Sequence, residues 1–304
     1  MATQPIIKTL RSATDNTSNN LIPKVTMNTS TGTEGHGSTA VCTAKAFVRT
    51  PWLLTILSAS GLCLAYLVGV LVNWGDAADR SLYANLGMIP IGLLATILAR
   101  AASKAQSSRR VQWAWRLLGA GLACFLAGDV LFFVYQNVLG TSPFPSLADA
   151  GYITYYLLIF AGLLWFPNLA GGQRRRIIPF IGASVAVVAV AAVILNFILL
   201  PTIQDGGESL FAYSLSLGYP LGDLLLLLGI AWMFLRTRPG RRLSIALFTA
   251  GLIMGLVADV LYGYQSIQGT FQSGGLSDAG YMLSWALFAW AGYMEVVRNQ
   301  CDET

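Results

Sequence analysis

The feature that most constrains this chain is a series of eight long apolar runs, at about 52–73, 82–100, 114–138, 149–166, 177–200, 212–235, 243–266 and 277–297. A run of about 18 or more apolar residues is long enough to cross the hydrocarbon core of a bilayer as a helix. Backbone groups in lipid have no water to bond, so a chain with many such runs must satisfy them internally. The ten-residue alternating segments of a transmembrane β-barrel are not visible. The expectation is an all-α integral membrane protein with eight transmembrane helices. Charged residues, at 11% of the chain, are less than half the share usual in a soluble domain.

The loops test that count. Lys45 and Arg49 precede the first run. Arg100, Lys104, Arg109 and Arg110 follow the second, Arg174–Arg176 the fourth, Arg236, Arg238, Arg241 and Arg242 the sixth, and Arg298 the eighth. The alternate loops carry Asp76, Asp79, Asp205 and Glu208, with Arg80 as their one basic residue. With both termini cytoplasmic, 18 of the 19 basic residues lie inside, as the positive-inside rule requires. This topology puts the protein in the cell membrane, with membrane lipids as its surroundings. It also accounts for the net charge of +5 without nucleic acid as a partner. Residues 1–50 differ in kind: Ser, Thr and Asn fill 17 of the first 40 positions and no apolar h-region is present. They read as a disordered cytoplasmic tail.

The chain also repeats itself. A shift of 130 brings Pro90 and Gly92 onto Pro220 and Gly222, Gly121 onto Gly251, and Asp129 onto Asp259. With one residue removed, "LADAGY" at 147–152 meets "LSDAGY" at 276–281, so Asp149 and Tyr152 fall on Asp278 and Tyr281. The expectation is two tandem four-helix repeats, 51–176 and 177–304. Four spans is an even number, so both copies should have the same orientation, related by an axis along the membrane normal.

The acids in the apolar runs are the candidate site. A carboxylate at the bilayer centre costs about 2.5–3.5 kcal/mol on insertion scales, so each must face protein or water. Asp129 lies in "FLAGDVLFFVYQ", with Gln136 seven residues on. Asp259 lies in "GLVADVLYGYQ", with Tyr262 and Gln265 following. Asp223 lies in "GYPLGDLLLLL", with Tyr219 one turn earlier, and Leu93 holds its place in the first repeat. Pro220 and Gly222 beside Asp223 suit a helix that lines a cavity. One reading is structural, with the acids joined to Tyr or Gln on other helices. The other is a ligand-binding pocket in the outer half of the bilayer, lined by Asp129, Asp223 and Asp259.

The repeated motif has a local explanation. "SLAD" at 146–149 fits a capping box with Ser146 as N-cap and Asp149 three residues on. The second copy places Ser277 as N-cap and Asp278 in the first turn. Tyr152 and Tyr281 then fit an interfacial aromatic belt, at the rim of the pocket mouth. Gly251 and Gly255 form a GxxxG pattern for close helix contact. The aromatics Trp285, Phe288 and Trp290 read as packing, and Glu295 as a side chain reaching to inner water. The single histidine, His36, lies in the tail, and Cys42, Cys63, Cys124 and Cys301 form no CxxC pair. No metal site and no cofactor are expected.

Gly128-Asp129, Pro145 with Ala148-Asp149 and Tyr152, Tyr219-Pro220-Leu221-Gly222-Asp223, Asp259, and Asp278 with Tyr281 together carry a resemblance. Over about residues 80–295 the chain resembles the multi-pass sensory region N-terminal to GGDEF/EAL domains in actinobacterial and related signalling proteins, which make or degrade cyclic di-GMP. The resemblance implies a sensor. The chain ends seven residues after the eighth run, so it also implies a cytoplasmic partner with a GGDEF/EAL or kinase output. A weaker likeness is to the lysoplasmalogenases, eight-span lipid hydrolases. Asp129 and Asp259 would be the matching catalytic acids there, one protonating the enol ether and the other activating water. Asp149 stands where that family tends to have histidine. A proton- or cation-coupled transporter is the third reading, from the repeats and the embedded acids.

Overall fold

The computed structural model describes residues 52–166, 177–205, 209–234 and 242–302. The tail at 1–50 and most of the arginines at 174–176 and 236–242 lie outside the described residues. Within them the chain is helical, without strands, and forms eight rods. They are α1 (Trp52–Leu71), α2 (Ala77–Lys104), α3 (Arg109–Phe133), α4 (Leu147–Trp165), α5 (Ile177–Ile194), α6 (Leu210–Phe234), α7 (Arg242–Ile267) and α8 (Leu276–Asp302). A widened π turn, Val134–Val138, extends α3. A second one, Leu195–Leu199, followed by Leu200–Asp205, extends α5.

Seven of the rods, α1 to α7, are long and apolar enough to cross a membrane. This is a membrane protein with multiple spanning-capable helices. The eighth rod differs. It has 27 residues and carries Asp278, Glu295 and Arg298, and it is the most enclosed element, with Trp285, Phe288 and Tyr293 fully buried. A polar helix can sit at the centre of a bundle because its neighbours, not lipid, supply the partners. It packs against α1, α2 and α7. At the other extreme α1 buries only Ile56 and Cys63 and turns Leu54, Leu57, Leu64 and Leu71 outward. Such a face is stable only against lipid.

Helix starts follow local chemistry. Asp76 caps α2, accepting the Asp79 N–H at 2.8 Å. Ser146 and Asp149 form the expected capping box on α4: the Ser146 N–H donates to Asp149 Oδ2 at 2.6 Å and the Ala148 N–H to Ser146 Oγ at 3.1 Å. The second copy departs from expectation. Ser277 is not the N-cap of α8 but a fully buried residue inside it. The turn before it runs through Gly274 at φ +86°, and the Gly274 N–H donates to Asp278 Oδ2. A side chain at Gly274 would meet the backbone of Arg80 and Ser81 at 2.5 Å. The α7–α8 turn is thereby seated on the start of α2, and Asp278 accepts from a backbone amide as Asp149 does in the first copy.

The contact pattern between rods fixes where the site sits. α3 packs along α4, and α7 along α8. Across the halves, α2 packs on α8 and α4 on α6. The halves differ in one respect: α2 lies against α3 over much of its length, whereas α6 and α7 meet sparsely. The gap between α6 and α7 is where the cavity lies.

Candidate functional site

A cavity of about 250 Å³ lies between α6 and α7, backed by α3, α4 and α8. It reaches Pro143 and Phe144 in the α3–α4 loop and Phe271 in the α7–α8 loop. Asp129, Asp149, Asp223, Asp259 and Asp278 all contribute to its wall. So do Tyr152, Tyr219, Tyr262 and Tyr281.

Each acid has defined partners. Asp129 accepts from Tyr152 Oη at 3.0 Å and from Trp285 Nε1 at 2.9 Å. Asp259 accepts from Tyr281 Oη at 2.6 Å and from Tyr156 Oη at 3.1 Å. Tyr156 Oη also lies 3.1 Å from Asp223 Oδ1. Asp223 and Asp259 thus meet at one tyrosine hydroxyl. Asp149 uses one oxygen for its capping box and accepts from Tyr219 Oη with the other. A buried carboxylate is retained at moderate cost only when its lone pairs are engaged, and these donors engage them.

Tyr152 and Tyr281 therefore do not form an outer belt. They turn inward and donate to the deep acids. Tyr219 donates not to Asp223 on its own helix but to Asp149 on α4. Tyr262 packs edge-on against Phe271, with ring centroids 4.7 Å apart.

Gln136 and Gln265 are not brought to the cavity wall. Gln136 lies in the π turn that ends α3. A wider turn shifts every following residue around the helix, so seven-residue spacing from Asp129 no longer marks one face. It sits instead 3.5 Å from both Asn85 and Ser81 of α2. Gln265 serves at the end of α7, where its carbonyl accepts from the Thr270 and Phe271 amides at 2.8 and 3.2 Å.

Three aromatic residues were missed by the sequence reading. Tyr156 joins Asp223 to Asp259. Trp285, which looked like packing, supplies an N–H to Asp129. Phe125 stacks between Tyr155 and Trp285, with centroids at 4.7 and 5.0 Å. A usable signal existed. Tyr156 and Trp285 are 129 residues apart, the same offset as the two Asp-Ala-Gly-Tyr copies.

Glu295 also departs from expectation. It does not reach to water; it is 1% exposed. It accepts from Gln106 at 3.0 Å, Ser244 at 2.6 Å and Arg298 at 2.8 Å, tying together the C-terminal end of α2, the start of α7 and α8.

Ser284 Oγ donates to the Gly251 carbonyl at 2.8 Å, and a methyl on Gly255 would lie 3.4 Å from Ser284 Oγ. The GxxxG face is thus the α7–α8 contact. Among the described residues no cluster of Asp, Glu, Cys and His converges as a metal site would. Comparison with protein-family models, with curated proteins and with solved structures finds no match.

Proposed function

We propose that this is a sensory membrane protein that binds a small molecule or lipid in the acid-lined cavity between α6 and α7. One observation carries the reading: five carboxyl groups and the tyrosines beside them line one shared cavity within the apolar part of the bundle. If the acids served only to tie helices together, they would need no shared lumen. The resemblance to sensory regions that precede GGDEF/EAL domains supports signalling as the output, through a cytoplasmic partner.

In this reading the bundle is two four-helix repeats of one orientation, with both termini cytoplasmic in the cell membrane. Matched contacts support it. Tyr152 on Asp129 corresponds to Tyr281 on Asp259, within each repeat. Trp285 on Asp129 corresponds to Tyr156 on Asp259, between repeats. Gly92 packs on Trp285 as Gly222 packs on Tyr156. Such reciprocal exchange is what a twofold axis produces. Function follows from the departure. Leu93, at the position of Asp223, is 50% exposed on the outer surface, while Asp223 is 3% exposed and faces inward. The duplicated frame has been opened and given an extra acid on one side only.

Native mass spectrometry of the purified chain tests this. The wild type should carry a co-purifying molecule that is lost in Ser216→Trp, which fills the cavity from the α6 wall. Equal spectra for the two proteins, or no ligand-dependent change in melting temperature for either, would sink the binding reading. A lipid hydrolase is the second reading, favoured by the adjacent carboxyls of Asp223 and Asp259, which could divide acid and base roles. It predicts aldehyde release from lysoplasmalogen by the purified protein, abolished in Asp259→Asn.

A further inference from the structure

We infer that the occupant of this cavity is an organic ammonium ion, seated between the carboxyl groups and the aromatic walls. The inference rests on the reading of the cavity as a binding site and adds the chemical class of what it holds.

The first argument is charge. The wall includes Asp129, Asp149, Asp223, Asp259 and Asp278 and, among the described residues, no Lys, Arg or His. Phosphate or carboxylate ligands would find no positively charged partner there and would face a wall of acidic groups.

The second is the count of donors. Tyr152, Tyr156, Tyr219 and Tyr281 direct their hydroxyl hydrogens at these carboxyls. Toward the lumen they offer oxygen lone pairs and ring faces. A wall of acceptors is complemented by a ligand that brings donors or positive charge.

The third is aromatic area. Phe125, Tyr155, Tyr262 and Phe271 add further rings around the same space. The face of an aromatic ring attracts a cation, by about 0.5–2 kcal/mol according to desolvation.

The fourth argument separates an organic cation from a metal ion. Among the described residues the acids do not converge to a coordination sphere. They are spread around the wall, as suits a charge carried on a body of some size. The cavity volume lies just under the range of drug-sized sites, about 300–1,000 Å³. That fits a metabolite-sized amine or a lipid headgroup amine.

The test needs only the full chain in detergent without added phospholipid. Choline and its uncharged carbon isostere, 3,3-dimethylbutan-1-ol, are titrated while thermal unfolding is followed, with ethanolamine and acetate alongside. Choline or ethanolamine should raise the melting temperature saturably, and the isostere and acetate should not. Asp223→Asn and Asp259→Asn should each weaken the cation response about tenfold or more, while Asp76→Asn, which keeps the α2 cap, should leave it unchanged. Equal responses to choline and its isostere, a response to acetate alone, or no saturable response to either cation would overturn the inference. A neutral molecule found in the wild-type cavity by native mass spectrometry would overturn the cation while leaving the binding reading standing. Two further arms identify the source. In nanodiscs of phosphatidylcholine a headgroup ligand would compete and blunt the choline response relative to phosphatidylglycerol nanodiscs. A free amine ligand would give equal responses, and either result upholds the ammonium class.

Discussion

Replacing Gly222 by alanine puts a methyl group 2.7 Å from Cγ of Tyr156, with both Cδ atoms within 2.9 Å. The ring is poorly placed to yield. Its hydroxyl is held between Asp223 and Asp259 at 3.1 Å each, and Tyr155 packs on it at a centroid distance of 5.3 Å. Overpacking of this kind costs about 1–3 kcal/mol. Alanine returns about 1 kcal/mol through helix propensity. Displacing the ring weakens hydrogen bonds to carboxyl groups, which contribute about 1.5–3 kcal/mol each. The net expectation is a loss of about 3 kcal/mol, with one such bond given up. The matched change, Gly92→Ala, meets Leu126 Cδ1 at 3.0 Å and Trp285 at 3.2 Å. The leucine end is free to turn, so this variant should stay within about 1 kcal/mol of wild type. At about 2–4 °C per kcal/mol, thermal unfolding in detergent should show Gly222→Ala lower by about 6–12 °C and Gly92→Ala by only a few degrees. In a Tyr156→Ala background most of the Gly222→Ala penalty should vanish, a coupling above about 1 kcal/mol. Equal losses for the two glycine variants, or an unchanged Gly222→Ala penalty without the Tyr156 ring, would refute the argument.

Asp129→Leu strands the Tyr152 hydroxyl and the Trp285 N–H together, at about 1–3 kcal/mol for each unsatisfied group. Asp129→Asn keeps an acceptor, so it should melt well above the leucine variant. Glu295→Ala removes the acceptor shared by Gln106, Ser244 and Arg298. It should cost about 3–5 kcal/mol and abolish recovery of monodisperse protein, while Asp76→Asn gives normal yield. Membrane-impermeant thiol labelling of intact cells should leave both Cys42 and Cys301 unmodified and should modify a cysteine introduced at Ser142. Labelling of either native cysteine from outside would refute cytoplasmic termini.

The rods were legible because the bilayer demands about twenty apolar residues for each crossing. All eight runs coincide with helices to within a few residues at their ends. The deep acids were legible because an Asp in an apolar run must find protein or water partners. What escaped was the aromatic half of the site. A tyrosine or tryptophan in an apolar helix looks the same whether its polar atom points to lipid headgroups or to a carboxyl on another helix. Tyr156 and Trp285 were hidden in this way, and Tyr152 and Tyr281 were assigned to the wrong surface. Gln136 was misplaced because a π turn leaves no clear mark in composition. Ser277 was misassigned because the turn ahead of α8 runs through Gly274, whose amide donates to Asp278 as the Ser146 amide donates to Asp149 in the first copy.

α8 touches both ends of the problem. It carries Tyr281 and Trp285 at the cavity and, 14 residues beyond Tyr281, Glu295 in the buried knot with α2 and α7. At 1.5 Å per residue that interval is about 21 Å. α2 and α6 are interrupted by Pro90 and Pro220, and α3 and α5 by π turns. α8 has neither interruption. The cavity wall and the buried knot are therefore two stations on one unbroken helix, and a change of register at either one is a change for both.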